Sequence, residues 1–175
     1  MDVCFLKIFY IERHNRVVTL ICSKINNYIS KENVVIHTDK FLKPSLFDDS
    51  IDINSTFSTS STRPDITIID YHSKSVKLVE ISTPFDAHID KCFSTKFLKY
   101  SPLAVEIEEI GFSTDVIVLI IGSLGNVHNK FVSGLMMCAL PRYDAIFLAK
   151  YLSISSIIGS YKVWKKRCKL HFRYE

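Results

Sequence analysis

No two cysteines in this chain form a Cys-x-x-Cys pair. Cys4, Cys22, Cys92, Cys138 and Cys168 are scattered and odd in number. That argues against a closed zinc site built from this chain alone and favours reduced, mostly buried thiols in an intracellular protein over a disulfide framework. Glycine and proline are scarce, at 5 residues each, whereas Phe and Tyr are abundant, so disorder is expected only locally. Long hydrophobic runs are missing. Val116 to Ile121 is apolar but far too short to span a bilayer. Met1 to Tyr10 is interrupted by Asp2 and Lys7 and no small-residue cleavage site follows, so it does not read as a signal peptide. A nuclear or cytoplasmic protein is expected, not secreted and without a membrane partner. No internal repeat is visible. Gly122-Ser123-Leu124-Gly125 lacks the spacing and the lysine of a phosphate-binding loop and reads as a strand-exit turn. His14, His37, His72, His88 and His128 form no pattern and read as structural or solvated.

What is present is an ordinary globular balance. The 175 residues suit one domain, and 47% hydrophobic with 23% charged residues is enough to bury a core. A net charge of +4 is mildly basic, compatible with a polyanion without requiring one. The basic residues concentrate near the end, from Lys162 to Arg173.

Hydrophobic periodicity gives the coarse order of elements. Val17, Ile21, Ile25 and Tyr28 recur at helical spacing, predicting a helix over Glu12 to Ser30. Short strands are expected at Asn33 to Thr38, Ile66 to Asp70 and Ser75 to Ser82, the last two joined by a turn at Tyr71 to Lys74. Asp39 to Thr62 is the longest irregular stretch, with Phe47 and Ile51 as candidate anchors. Pro84 stops the third strand. A helix follows from Asp86 to Tyr100, and Ser101-Pro102 divides it from a second piece, Leu103 to Ile110, capped by Gly111. The continuous apolar run from Asp115 to Gly122 predicts a central strand covered on both faces. Helices at Lys130 to Leu140 and Arg142 to Ile158 precede a basic, aromatic tail, Tyr161 to Glu175. The resulting α-β-β-β-α-β order predicts an α/β fold with a mixed four-stranded sheet flanked by helices, plus C-terminal helices.

Asp65 opens the second strand and Glu80 closes the third. If those strands form a hairpin, the acids lie side by side. Glu80 also shares a strand face with Val76 and Leu78, an unusual place for an acid. Two adjacent carboxylates call for a neutralising cation, and oxygen ligands suit Mg²⁺ or Mn²⁺, with the Ile81 carbonyl a further candidate. Such an ion assists phosphodiester hydrolysis, and a lysine nearby would offset charge on the phosphate. Lys96 and Tyr100, four apart, share one helix face, while Lys99 is displaced around the helix. The plainer alternative is a turn aspartate and an exposed strand acid. Arg63, beside the acids, is a candidate phosphate contact. Lys162, Lys165, Lys166 and Arg167, with Tyr161, Trp164, Lys169 and Arg173, make an electrostatic case for nucleic acid, set against a solvated helix end.

Together these segments resemble a known family. Arg13-His14-Asn15, Arg63-Pro64-Asp65, Val79 to Pro84, Lys96 to Tyr100 and Ile121 to Gly125 look like landmarks of the restriction-like endonuclease domain of site-specific non-LTR retrotransposon polyproteins, within the PD-(D/E)XK superfamily. The resemblance spans roughly Arg13 to Lys169. It implies Asp65 and Glu80 as metal ligands for Mg²⁺ or Mn²⁺, and Lys96 and Tyr100 as catalytic partners, with Lys99 the alternative lysine. The superfamily lysine normally lies two residues past the acid, where this chain has Ser82. In the retrotransposon domains it is displaced to the following helix. The implied activity is a nick in double-stranded target DNA that primes reverse transcription, with the reverse transcriptase portion of a parent polyprotein as a further partner. Two departures stand out. A Cys/His zinc knuckle usually precedes the Arg-His-Asn segment, and here only Cys4 lies upstream. The 175 residues themselves include no reverse transcriptase segment. The expectation is a fragment or derived gene, with an N-terminal remnant over 1–11, a nuclease-like core over 12–125, and C-terminal helices with a basic tail over 126–175. The alternative is a truncated, catalytically inactive nucleic-acid-binding relic of the same fold, and a third reading is a fold-only protein.

Overall fold

Four strands, with helices packed on either side of them, build a single mixed sheet. The computed structural model describes residues 2–29, 32–52, 54–59 and 62–171, with side chains described from 8 to 168 among these. The elements are α1 (Asp2–Asn26), β1 (Val34–Thr38), β2 (Ile66–Asp70), β3 (Ser75–Ser82), α2 (Ile89–Glu109), β4 (Ser113–Ile120), α3 (Phe131–Met137) and α4 (Arg142–His171). The four strands lie in the order β1-β2-β3-β4. The pairs β1/β2 and β2/β3 are antiparallel, and α2 carries the chain across to a parallel β3/β4 pair. The fold is thus mixed α/β, a four-stranded sheet flanked by helices with further helices at the C-terminal end, as its sequence predicts.

Each face of the sheet buries its own cluster. In β3, Val79 and Ile81 point to one side and pack with Val17, Ile21 and Ile25 of α1, Phe131 and Leu135 of α3, and Leu148 and Leu152 of α4. Val76 and Leu78 point to the other side, against Leu103, Ala104 and Ile107 of α2. This is the period-2 alternation of a strand covered twice. The stretch 39–62 closes the second face. Its Leu42, Phe47 and Phe57 are buried there, and Phe47 meets Phe57 and Phe112 with ring centroids 6.0 and 5.3 Å away. Glu106 of α2 ties it further, accepting bonds from the Ser58 N–H at 2.7 Å and the Thr59 N–H at 3.3 Å. Phe47 is an anchor as expected, and Phe57 rather than the half-buried Ile51 is its partner.

Five expectations about elements need correction. The first helix starts at Asp2, not Glu12, and stops at Asn26. The helix that follows Pro84 is not divided at Ser101-Pro102, since α2 runs unbroken from Ile89 to Glu109 with Pro102 inside. An interior proline costs about 3 kcal/mol, but Tyr100, Leu103, Ala104 and Ile107 bury one stripe on both sides of it, which offsets that cost. The strand β4 is doubly covered but lies at the sheet edge, not in its centre. Burial on two faces makes a run apolar and says nothing about how many strands flank it. The final helix α4 extends without a break from Arg142 to His171 and absorbs the start of the tail. There it lies along α1, with Phe9, Arg13 and Arg16 facing Gly159, Lys162 and Val163. That contact supports both helix extensions where local pattern alone is weak. Helix α3, conversely, is shorter than expected. It ends at Met137, and Ala139 takes a left-handed φ of 73° before Pro141.

Candidate active site

The hairpin register brings the two acids together. Ile66 lies opposite Val79 and Thr67 opposite Leu78, so one step further out Asp65 faces Glu80 on the same side of the sheet. The backbone fixes this. The Ile81 N–H donates to Asp65 Oδ2 at 2.7 Å, and the Asp39 N–H donates to the Asp65 carbonyl at 3.0 Å. The Ile81 contact to Asp65 thus comes from its amide.

Helix α2 supplies the second half. Lys96, Tyr100, Leu103 and Ile107 fall on one stripe, spaced four, three and four residues apart. Its lower part packs on Val76 and Leu78, and its upper part meets Glu80. Lys96 Nζ donates to Glu80 Oε1. The Tyr100 hydroxyl lies 2.5 Å from Glu80 Oε2 and 2.9 Å from the Arg63 carbonyl. It has one proton for two acceptors, and the carboxylate is the stronger claim. Burial, then the bond to Glu80, pushes the Tyr100 pKa far above the ordinary phenol value, so it remains a donor. Glu80 is only 5% exposed.

Helix α1 contributes a residue that reads as bland in the sequence. His14 Nε2 stands 3.0 Å from Asp65 Oδ1. A carboxylate only accepts, so Nε2 carries the proton. The bond to Asp65 raises the His14 pKa against the opposing effect of burial, with Asp65 and Glu80 adding charge attraction. His14 lies three residues before Val17 and seven before Ile21, on the buried stripe of α1. A histidine at a core-facing position of a helix is the one signal that marks it.

His14, Asp65, Glu80 and Tyr100 line a cleft of about 1080 Å³ that also includes Arg63, Lys99 and Asp39. Lys99 does not reach the acids. Its Nζ lies 3.3 Å from the Tyr100 hydroxyl and 4.8 Å from that ring's centroid. Arg63 sits at the rim, paired with Asp39 at 2.8 Å and 5.2 Å from the Phe41 ring centroid. Ser82, in the place where a lysine is usual, accepts a bond from Cys92 Sγ at 3.4 Å. The basic residues of α4 are elsewhere. Lys162, Lys165 and Lys166 line an opening between α4 and α1, and Arg167 lines a neighbouring groove. Lys169 and Arg173 lie outside the described side chains.

The donor set is hard oxygen, with each carboxylate oxygen already accepting one hydrogen bond. Among the described residues no group of three or more His, Cys, Asp or Glu is placed to hold a metal. A closed zinc site is therefore not built from them. Mg²⁺ asks less, since it is commonly held by one or two carboxylates with waters and substrate phosphates completing its shell. Asp65 and Glu80 fit that smaller demand, and their oxygens have second lone pairs to offer. Among the described residues no helix is long and apolar enough to cross a membrane.

No protein-family model matches the chain, and no curated protein matches it. Among solved structures, the N-terminal domain of a reptarenavirus L protein is similar at a TM-score of 0.41 and 19% identity, over 78% of this chain and 72% of that chain.

Proposed function

We propose that the chain is a metal-dependent DNA endonuclease domain, with Asp65 and Glu80 as the residues that would hold Mg²⁺ or Mn²⁺. One observation carries this reading: Asp65 from the start of β2 and Glu80 from the end of β3 line one open cleft, and Lys96 from α2 donates to Glu80. The cation would supply a Lewis acid for the scissile phosphate. The chain's own groups do the rest. Tyr100 and the Ile81 amide hold the two carboxylates in fixed orientations. Lys96 places a positive charge beside Glu80, where negative charge grows in phosphoryl transfer. His14, protonated more readily than a free histidine, adds a donor on Asp65. Arg63 and Lys99 line the cleft as phosphate contacts.

The finer assignment to a site-specific non-LTR retrotransposon, nicking target DNA in the nucleus to prime reverse transcription, rests on the sequence resemblance. A second reading is a non-cleaving nucleic-acid-binding module of the same fold. It is favoured by the internal donors that all four carboxylate oxygens already have.

Supercoiled plasmid separates the two readings. With Mg²⁺ or Mn²⁺ the wild type is expected to convert it to the nicked form. Asp65→Ala should abolish this and Lys96→Ala should slow it about a hundredfold, both with an unchanged circular dichroism spectrum. A wild type that binds no Mn²⁺ and leaves the plasmid intact, yet retains duplex in a salt-dependent way, would overturn the enzyme reading in favour of the module.

A further inference from the structure

The endonuclease reading leaves a second opening unused. Past the C-terminal end of β3, a groove of about 580 Å³ runs between α1, the turn after β4 and the far part of α4. Tyr10, Phe85, Leu124, Tyr161 and Trp164 line it, and Arg13 lies among them. The apolar side chains are open to solvent: Phe85 is 70% exposed, Leu124 73% and Trp164 60%. Clustered exposure of this kind marks binding surfaces. The Tyr161 and Trp164 rings stand 5.9 Å apart at 31° to one another.

Arg13 gives the groove its charge. Its stem crosses α4 at Gly159, where a Cβ would come within 3.0 Å of Arg13 Cγ. One Nη donates to Ser160 Oγ at 2.6 Å and the other to the Thr83 carbonyl at 2.8 Å. The guanidinium is 5.6 Å from the Tyr10 ring centroid. Its Nε is buried without a partner, and among the described residues no carboxylate pairs with it. Burial lowers its pKa. A half-buried cation surrounded by neutral acceptors lacks a counter-charge. Arg167 lines the same groove, and Arg16, Lys162, Lys165 and Lys166 line the adjoining one, where Glu12 is the acid present. The charge complement is a polyanion.

We propose that this groove binds unpaired bases of a DNA strand, stacked on Trp164, Tyr161 and Phe85, with phosphates at Arg13 and Arg167. The choice of DNA rests on the endonuclease reading. The choice of unpaired bases rests on the rings, because bases within a duplex have no free faces to offer an aromatic side chain. Arg13 and His14 are neighbours on α1. His14 meets Asp65 while Arg13 meets Thr83, three residues beyond Glu80. A strand leaving the acid cleft would thus meet the groove around the end of β3.

Trp164 is the only tryptophan of the chain, so its fluorescence reports on the groove. The full chain carrying Asp65→Ala is titrated with an oligo-dT strand, which reads binding without cleavage. Saturable quenching is expected. Phe85→Ala and Tyr161→Ala should each weaken oligo-dT about tenfold, while duplex affinity stays within about twofold. No quenching, equal losses for duplex and oligo-dT, or tighter binding of an RNA strand of the same length would overturn the proposal. Quenching together with a wild type that nicks nothing would sustain the groove and sink the endonuclease. Nicking without quenching would do the reverse.

Discussion

At the scale of single residues, the site is held by hydrogen bonds to two carboxylates, and Tyr100 is the pivotal donor. It is buried, and its one hydroxyl proton goes to Glu80, with the Arg63 carbonyl 2.9 Å away. Tyr100→Phe keeps the ring and removes only the donor. It should destabilise the fold by about 1.5 to 3 kcal/mol, the range for bonds to charged groups. Urea unfolding of the variant would read this directly, and an unchanged midpoint would mean that Lys96 alone satisfies Glu80. The acids themselves were legible in the sequence, because a Pro-Asp ahead of one strand and an acid among Val and Leu of the next are both local anomalies. His14 was not. Its meaning depends on Asp65, fifty-one residues away, and lone histidines on helices are common. Which of Lys96 and Lys99 meets Glu80 also depends on geometry, since both lie on the same turn of α2 and only Lys96 shares its buried stripe.

At the scale of elements, the turn between β4 and α3 is a built connection with its own pH dependence. Asp86 gathers the Leu124 N–H at 2.7 Å and the Asn126 N–H at 3.2 Å. His128 stacks on Phe93 with centroids 4.1 Å apart, and its Nδ1 accepts the Lys130 N–H at 3.2 Å. Asp90 faces its Nε2 at 3.5 Å, and the nearby Lys130 opposes protonation. Burial lowers the His128 pKa. A base whose folded pKa is depressed contributes stability above its unfolded pKa, near 6.5, and loses it as pH falls. The wild type should therefore lose more stability between about pH 7 and about pH 5 than His128→Gln does. Equal losses in paired urea titrations would remove His128 as a source. The end of α3 allows a second test. Ala139 holds a left-handed conformation that disfavours a Cβ. Ala139→Gly should stabilise by about 0.5 to 1 kcal/mol, and a lower urea midpoint would contradict that. Sequence pattern located most elements here, including both strands of the acidic hairpin, because Pro84 and the Tyr71 to Lys74 turn punctuate them. It misjudged those whose limits depend on distant packing, namely the unbroken α2, the edge position of β4 and the extended α4.

At the scale of the whole molecule, the acid cleft and the basic residues of α4 occupy different surfaces. The net charge of +4 is small, so any duplex affinity depends on where the cations cluster. Replacing Lys162, Lys165, Lys166 and Arg167 together with Gln should reduce the slope of log affinity against log salt by about 3 to 4. A slope left unchanged in fluorescence anisotropy would show that duplex binds elsewhere. The stripe of α2 ties the site to the core in another way. Lys96 and Tyr100 share one phase with Leu103 and Ile107, which are buried against the sheet. One residue inserted between Tyr100 and Leu103 would turn Lys96 by about 100° around the helix, away from Glu80. Seven would restore the angle but carry it about 10 Å along the axis, beyond the reach of its side chain. The segment from Lys96 to Ile107 therefore has a fixed length. Through drift, substitutions can accumulate along it, but an insertion or deletion there would separate the lysine from the acid even if the hydrophobic core survived.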